Sequence, residues 1–311
     1  WRKSVLRQGE NPHQQAALYA AADGQGANLV SAKQLNGKDL SYNNLLDLDA
    51  ALAIARSFAD PAVAVLKHNN PCGAAEAKTL ADALRRALAG DPLSAFGSVL
   101  GVNRMVDAAT AEVLTEPGLF IEAIVAPDFQ IGALQVLTTR PKWKDSVRLM
   151  KVGRLEPVAP RWSYRCIAGG VLMQEEDVLP DPESEWKAVT EGKPTAAQMT
   201  DLRFAWTMVR HVKSNAVVLA KNRMLLGAGA GQASRVDSAR IAIQKAGDRA
   251  EGSVMASDAF FPFPDSIELA AAAGVTAVIQ PGGARKDDEV IAACNRHGLA
   301  MVFTGRRHFR H

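Results

Sequence analysis

Cysteine is scarce in this chain: Cys72, Cys166 and Cys294 are the only three in 311 residues. An odd number at such spacing gives neither a disulfide framework nor a zinc-ligand pattern, so no metal is expected, and it points to a reducing, cytoplasmic setting. Long apolar runs are missing as well. No stretch approaches the ~20 residues that span a bilayer, and the N-terminus has no signal-peptide pattern. Neither charge sign dominates: 36 basic residues against 33 acidic give a formal net charge of +3, too little to argue for nucleic acid. The chain begins at Trp1 rather than Met, which reads as processing or trimming. What is present is ordinary for a globular enzyme, 48% hydrophobic and 22% charged, and long enough to bury a substantial core.

Strand-like apolar runs alternate with alanine-rich helical patterns. The spacing predicts helices over 45–58, 80–88 and 108–114 and strands over 62–66, 98–102 and 121–125. The second half repeats the rhythm. Helices are expected over 196–211, after Ser234, over 266–273 and over 287–297, with strands over 216–220, 276–279 and 300–303. Alternation of this kind means layered α/β domains. The charged, proline-containing stretch 175–194 reads as a linker, which divides the chain into subdomains 1–178 and 179–311.

The densest chemistry stands where Ala62-Val63-Ala64-Val65-Leu66 runs into Lys67-His68-Asn69-Asn70-Pro71-Cys72-Gly73. Five apolar residues closed by Pro and Gly read as a buried parallel strand, and ligands sit beyond the carboxyl ends of such strands. Lys67 and His68 fall there, either as solvated loop residues or as reacting groups. Further polar clusters lie at strand ends and turns: 7–14, Lys213-Ser214-Asn215, and the small-residue loop 227–232 before the helix at Ser234-Arg235. That loop has Gln232 where a dinucleotide fingerprint needs Gly, so nicotinamide binding is not expected. Ser257 to Asp265 sets three Phe beside two Asp, and Gln280-Pro281-Gly282-Gly283-Ala284 joins a strand to a helix. The tail Arg306-Arg307-His308-Phe309-Arg310-His311 is either a solvated terminus or a phosphate grip, since guanidinium forks match phosphate oxygens.

Nine motifs in register, RQGENPHQ, YNN, KHNNPCG, SAFG, KSNAV, GAGAGQASR, SDAFFPF, QPGG and RHFRH, carry a resemblance that covers nearly the whole chain. The sequence resembles the formyltransferase part of the bifunctional purine-biosynthesis family that also carries inosine monophosphate (IMP) cyclohydrolase. The cyclohydrolase domain is expected to be absent from this chain. The resemblance implies two related cytidine-deaminase-like α/β subdomains and a homodimer with active sites at the subunit interface. It implies formyl transfer from 10-formyltetrahydrofolate to the amine of 5-aminoimidazole-4-carboxamide ribonucleotide (AICAR) in IMP biosynthesis. Small molecules are then the partners, with no nucleic acid and no membrane, and a structural potassium ion is part of the family pattern.

The resemblance gives His68 as general base, Lys67 as the group for the oxyanion or the departing folate nitrogen, and Asn215 as the side chain that orients the substrate carboxamide. Arg7, Gln8, Gly97, Glu122, Arg235, Phe260 and Arg307 match nucleotide-side positions. Val236, Asp265, Gly283 and Ala284 match the folate side. Gln8 stands where many relatives have an aromatic residue, and Pro264 where Arg is common. Two rival classes stay in view. A zinc hydrolase needs H-x-E with P-C-x-x-C, and here Pro71-Cys72 is followed by Gly73-Ala74-Ala75. A non-catalytic nucleotide-binding module would keep Arg7 and Arg307 yet have no use for His68.

Overall fold

The computed structural model describes residues 1–311 except 23, 25, 158 and 159. In chain order the first half holds β1 (Arg2–Val5), β2 (Ala17–Tyr19), β3 (Lys33–Asn36), α1 (Tyr42–Ala55), β4 (Ala62–Lys67), β5 (Asn70–Glu76), α2 (Leu80–Leu88), α3 (Pro92–Ala95), β6 (Ser98–Val102), α4 (Ala108–Leu114), β7 (Ile121–Ala126), α5 (Ile131–Thr139) and β8 (Arg148–Lys151). A separate hairpin follows, β9 (Trp162–Ile167) with β10 (Gly170–Glu175). The second half holds β11 (Lys187–Ala188), α6 (Ala196–Val209), β12 (Val217–Lys221), β13 (Met224–Gly229), α7 (Arg235–Ala246), β14 (Val254–Ser257), α8 (Asp265–Ala272), β15 (Ala277–Gln280), α9 (Asp287–His297) and β16 (Ala300–Phe303).

Twelve of these strands form one mixed sheet in the order β11-β16-β15-β14-β12-β13-β5-β4-β6-β7-β8-β3. Its two halves repeat one plan. Each has an antiparallel hairpin at the centre, β4–β5 or β12–β13, followed outward by three mutually parallel strands and an antiparallel edge strand. The hairpins turn on the same backbone: His68 and Asn69 have φ of 50° and 62°, Asn222 and Arg223 of 53° and 57°. Two left-handed central residues match the right-handed twist of the flanking strands. β5 and β13 meet at the centre of the sheet, with Met224 opposite Ala75.

The strands are buried on both faces, and alternate side chains serve opposite layers. In β4, Ala64 and Leu66 join α1 and α6 in one core, while Val63 and Val65 join α2, α4 and α5 in another. In β12, Val217 and Leu219 turn instead to α7, α8 and α9. Helix starts are fixed by side-chain caps: Ser41 and Thr195 make reciprocal capping boxes, with Asn44 and Gln198, at the starts of α1 and α6.

Three expectations change. The run 62–66 is a strand, but it is antiparallel to both neighbours, β5 and β6; burial of both faces, not strand direction, made it continuously apolar. The small-residue loop 227–232 begins as strand β13. Glycine is needed there because α7 lies against it: a Cβ on Gly227 would stand 2.1 Å from the Ala242 carbonyl oxygen. The stretch 175–194 is not a plain linker, since β11 within it pairs with β16 and Asp177 and Asp181 are engaged by the C-terminal tail.

Candidate active site

The Lys67–Asn70 turn is held from three sides. Asp47 on α1 accepts from the Asn69 backbone N–H at 2.6 Å, and Asn70 Nδ2 donates to the His68 carbonyl at 3.0 Å. Lys67 Nζ donates to the carbonyls of Phe96 and Gly97 at 2.7 and 3.1 Å. Burial raises the Asp47 carboxyl above its ordinary range, against the Asn69 hydrogen bond and the charges of His68 and Lys67. The His68 ring stays exposed on this fixed turn. Among the described residues Asn69 Oδ1 and Asn70 Oδ1 are buried without a hydrogen-bond partner, which marks acceptors suited to a bound amide or amine.

Beside Lys67 lies a cavity of about 220 Å³, lined by Lys67, Asn70 and Asp91 from one half and by Gly227, Ala228 and Lys245 from the other. Cys72 borders it, its Sγ 3.4 Å from the Val65 carbonyl oxygen, and burial pushes its thiol up to about 12, so it is no nucleophile. A larger cavity of about 440 Å³, between Arg56, Asn103, Arg104 and Pro127, opens at the opposite edge of the sheet and holds none of the motif residues. Among the described residues no three His, Cys, Asp or Glu side chains are grouped to hold a metal ion.

Gly97 and Glu122 sit beside the turn at the amino ends of β6 and β7, not at carboxyl ends. Glu122 pairs at 2.6 Å with Arg148, whose side chain, only 2% exposed, also donates to the Asp39 carbonyl. Arg7 and Gln8 are tied in next to Asp39: the Arg7 N–H reaches the Leu40 carbonyl at 3.0 Å, and the Gln8 carbonyl accepts from Tyr42. The Arg7 side chain is exposed.

Across the sheet centre, Asn215 is gripped on every side. Its Nδ2 donates to the carbonyls of Gln232 and Ala233 at 2.9 and 3.2 Å, and its Oδ1 accepts from Arg235 Nη2 at 2.7 Å. Arg235, only 6% exposed, also donates to Ser257 Oγ at 2.8 Å and pairs with the fully buried Asp258. The guanidinium is therefore consumed inside the protein and supports Asn215. Asp258 further accepts from Ser214 Oγ, and its carbonyl accepts from the His308 N–H at 2.9 Å. The tail is thus docked: Ser214 and Arg310 bond each other's backbone and hydroxyl at 2.9 and 3.1 Å. Phe260 is 40% exposed beside it, and the Arg307 guanidinium stacks over the Phe309 ring at 4.4 Å.

Of the remaining residues, Val236 is half-buried in the first turn of α7, and Asp265 is exposed at the start of α8. The N–H groups of Gly283 and Ala284 are taken up by Asp287 Oδ2 at 2.7 and 3.1 Å. The registers put all the predicted positions along one edge of the sheet: the β4–β5 turn, the amino ends of β6 to β8, the start of β12, and the carboxyl ends of β14 to β16. They fall into two sets. With strands about 4.8 Å apart, Glu122 and Asn215 stand five strand steps, roughly 24 Å, from each other. One mononucleotide does not bridge them.

The motifs do not single out Asp47 or Arg148. Each is an ordinary acidic or basic residue inside a regular element, and only the fold shows what it holds.

The profile of the AICARFT/IMPCHase bienzyme family matches residues 1–245. The chain is 65% identical over 310 residues to the bifunctional purine biosynthesis protein PurH of Rhodopirellula baltica, covering 100% of this chain and 59% of that protein. It is 49% identical over 310 residues to PurH of Halalkalibacterium halodurans, with 100% and 60% covered, and 51% identical over 307 residues to PurH of Desulfitobacterium hafniense, with 98% and 58% covered. It spans about three-fifths of the length of these curated relatives. With nine motifs in order, a profile match over most of its length and identities of this size, the chain belongs to the AICARFT/IMPCHase bienzyme family.

Proposed function

We propose that this chain transfers the formyl group of 10-formyltetrahydrofolate to the exocyclic amine of AICAR, giving formyl-AICAR and tetrahydrofolate in IMP biosynthesis. The observation that carries the reading is the Lys67–His68 turn, where an exposed imidazole stands on a locked backbone beside an ammonium pinned to two carbonyls. The amine of AICAR is conjugated through the imidazole to the carboxamide and is a weak nucleophile. It attacks the formyl carbon as His68 removes its proton, a task suited to imidazole near neutrality. The oxyanion that develops is met by Lys67, which then returns a proton to the folate nitrogen as the carbon–nitrogen bond breaks. Both amide hydrogens of Asn215 are used internally, so what it offers the substrate is a lone pair on Oδ1, which accepts from the carboxamide N–H.

Arg7 and Arg307 grip the phosphate in this reading. Gln8, Gly97, Glu122 and Phe260 border the nucleotide, Arg235 acts through Asn215, and Val236, Asp265, Gly283 and Ala284 border the folate. A homodimer with shared sites fits two observations. The two sets of site residues are too far apart in one chain for one nucleotide. The β9–β10 hairpin also leaves one apolar face open, with Trp162, Tyr164, Val171 and Met173 each at least half exposed. Two related subdomains, 1–178 and 179–311, follow the repeated order of elements. Among the described residues no helix is long and apolar enough to cross a membrane, which agrees with a cytoplasmic enzyme. A structural potassium ion would take carbonyl and hydroxyl oxygens, and no step runs through it. Cyclohydrolase chemistry is not ascribed to these residues.

The test is direct. The purified chain, given AICAR and 10-formyltetrahydrofolate, should release tetrahydrofolate and formyl-AICAR in equal amounts; absence of both products in a folded, associated protein removes the proposal.

A further inference from the structure

The C-terminal tail ends in a buried ion cluster that the formyl-transfer chemistry does not use. His308 is 3% exposed. Its Nδ1 meets Asp177 Oδ2, and its Nε2 lies 2.8 Å from Asp181 Oδ2. From α6, Trp206 Nε1 donates to the same Asp181 oxygen at 2.8 Å, and the Trp206 ring meets the imidazole edge-on with centroids 5.2 Å apart. Arg210 pairs with Asp177 at 3.2 Å, Arg306 approaches Asp181 at 4.0 Å, and His211, itself neutral, stands near enough to feel the charge of His308. Either side of this anchor, Arg307 and Phe309 are exposed.

We propose that His308 is a positioning residue: as an imidazolium clamped between Asp177 and Asp181 it fixes the tail so that Arg307 meets the nucleotide phosphate, which makes nucleotide affinity depend on the protonation of a side chain that never touches the nucleotide. The inference rests on the reading of Arg307 as a phosphate ligand. The geometry is that of a charged clamp, since both ring nitrogens face carboxylate oxygens and only the imidazolium can donate from both. Burial works to lower the imidazole, and the hydrogen bonds to Asp177 and Asp181 outweigh it against the nearby Arg210, so His308 holds its proton above the ordinary histidine range. Both carboxyls are held correspondingly low by the same contacts, against burial. The sign follows: docking is complete below the ordinary imidazole range and is lost as pH rises through the raised value.

The experiment is calorimetric binding of AICAR between pH 7.5 and 9.5, where the phosphate stays doubly ionised, to the associated full chain and to Arg307→Ala, His308→Gln, the double variant and Asp177→Asn. Arg307→Ala should weaken AICAR roughly 10- to 100-fold, the range for one charge-assisted hydrogen bond. His308→Gln should lose a comparable factor with folate affinity unchanged. The double variant should be no weaker than Arg307→Ala alone. Wild-type affinity should fall with rising pH, His308→Gln should be flat, and Asp177→Asn, which leaves the ring in place, should move the fall to lower pH. Losses that add in the double variant, or a wild-type profile without the fall, overturn the clamp while leaving Arg307 as a ligand. Unchanged binding in Arg307→Ala overturns the phosphate reading and the clamp with it.

Discussion

A left-handed backbone at His68 is the first thing the residue scale must explain, because β-carbon sterics disfavour it and only a few side chains adopt it readily. The turn is sustained by Asp47, Asn70 and the Lys67 tether, so its imidazole can be removed without unmaking it. His68→Ala should therefore bind AICAR nearly as wild type does while formyl transfer falls by about 10²–10⁴, the usual contribution of a general base. Lys67→Met should fall mainly in kcat, as expected of a group acting in the transition state; steady-state kinetics beside calorimetry separate the two. A second residue-scale outcome concerns acid. His211, with Nε2 3.1 Å from Ser57 Oγ, is pressed down to about 3 by burial and by Arg310 and Arg210. An unfolded chain takes up its proton near 6.5 and the folded one does not, so on this account the fold loses stability as pH falls from about 6.5 toward 3. Denaturant titrations of His211→Gln should show a shallower loss in that window. Lys67, His68 and Asn215 were legible in the sequence because polar groups crowd there between apolar runs and turn residues. Asp47 was not: a carboxylate within a helix pattern looks solvated until its neighbours are known.

Elements with buried faces could be read closely. The strand over 300–303 and the helix over 287–297 coincide with β16 and α9, and α4 with its expected span. Those missed have separate causes. β1 and β3 are RKSV and KQLN, largely exposed at the margins, where no alternation is imposed by burial. Pro71 hid the start of β5, which sits next to a register shift between Val65 and Leu66 that accommodates it. Strand direction was out of reach altogether, since a strand covered on both faces is apolar in either orientation. β13 was hidden by its own glycines, and these make an element-scale prediction. Gly73 on β5 faces the Ala87 carbonyl oxygen of α2 at 1.9 Å from an ideal Cβ, and Gly227 on β13 faces that of Ala242 on α7 at 2.1 Å, the same position in each repeat. Gly73→Ala and Gly227→Ala should each cost about 1–3 kcal/mol or more, the range for overpacking a close interface, seen as a lower denaturation midpoint. Gly132→Ala, with nothing within 4 Å of the added carbon, is the control.

At the scale of the whole molecule, the halves are joined by more than the sheet. Lys245 pairs with Asp91 at 2.8 Å, Arg223 with Asp60 at 2.6 Å, and Arg249 donates to the carbonyls of Ala89 and Gly90 at 2.8 Å. The halves cannot close over a substrate while these hold, so the two distant sets of residues must be joined through a second copy in the proposed reading. Specific activity should then fall on dilution through the dimer dissociation constant. Mixing inactive His68→Ala with a chain inactivated at Asn215 should restore part of the turnover; a fully active monomer in sedimentation refutes the shared site.

The meeting of β5 and β13 also sets the order in which the chain can become safe. Residues 75 and 224 pair at the centre of the sheet, so while the first half emerges during synthesis its innermost strand, β5, is paired only with β4, and its other, open edge is a template for any other chain. Nothing in β5 is charged before Glu76. The nascent first half is thus the aggregation-prone stage of this protein's life, and a fragment ended at residue 178 should be recovered from cells as insoluble material unless the second half is supplied alongside it.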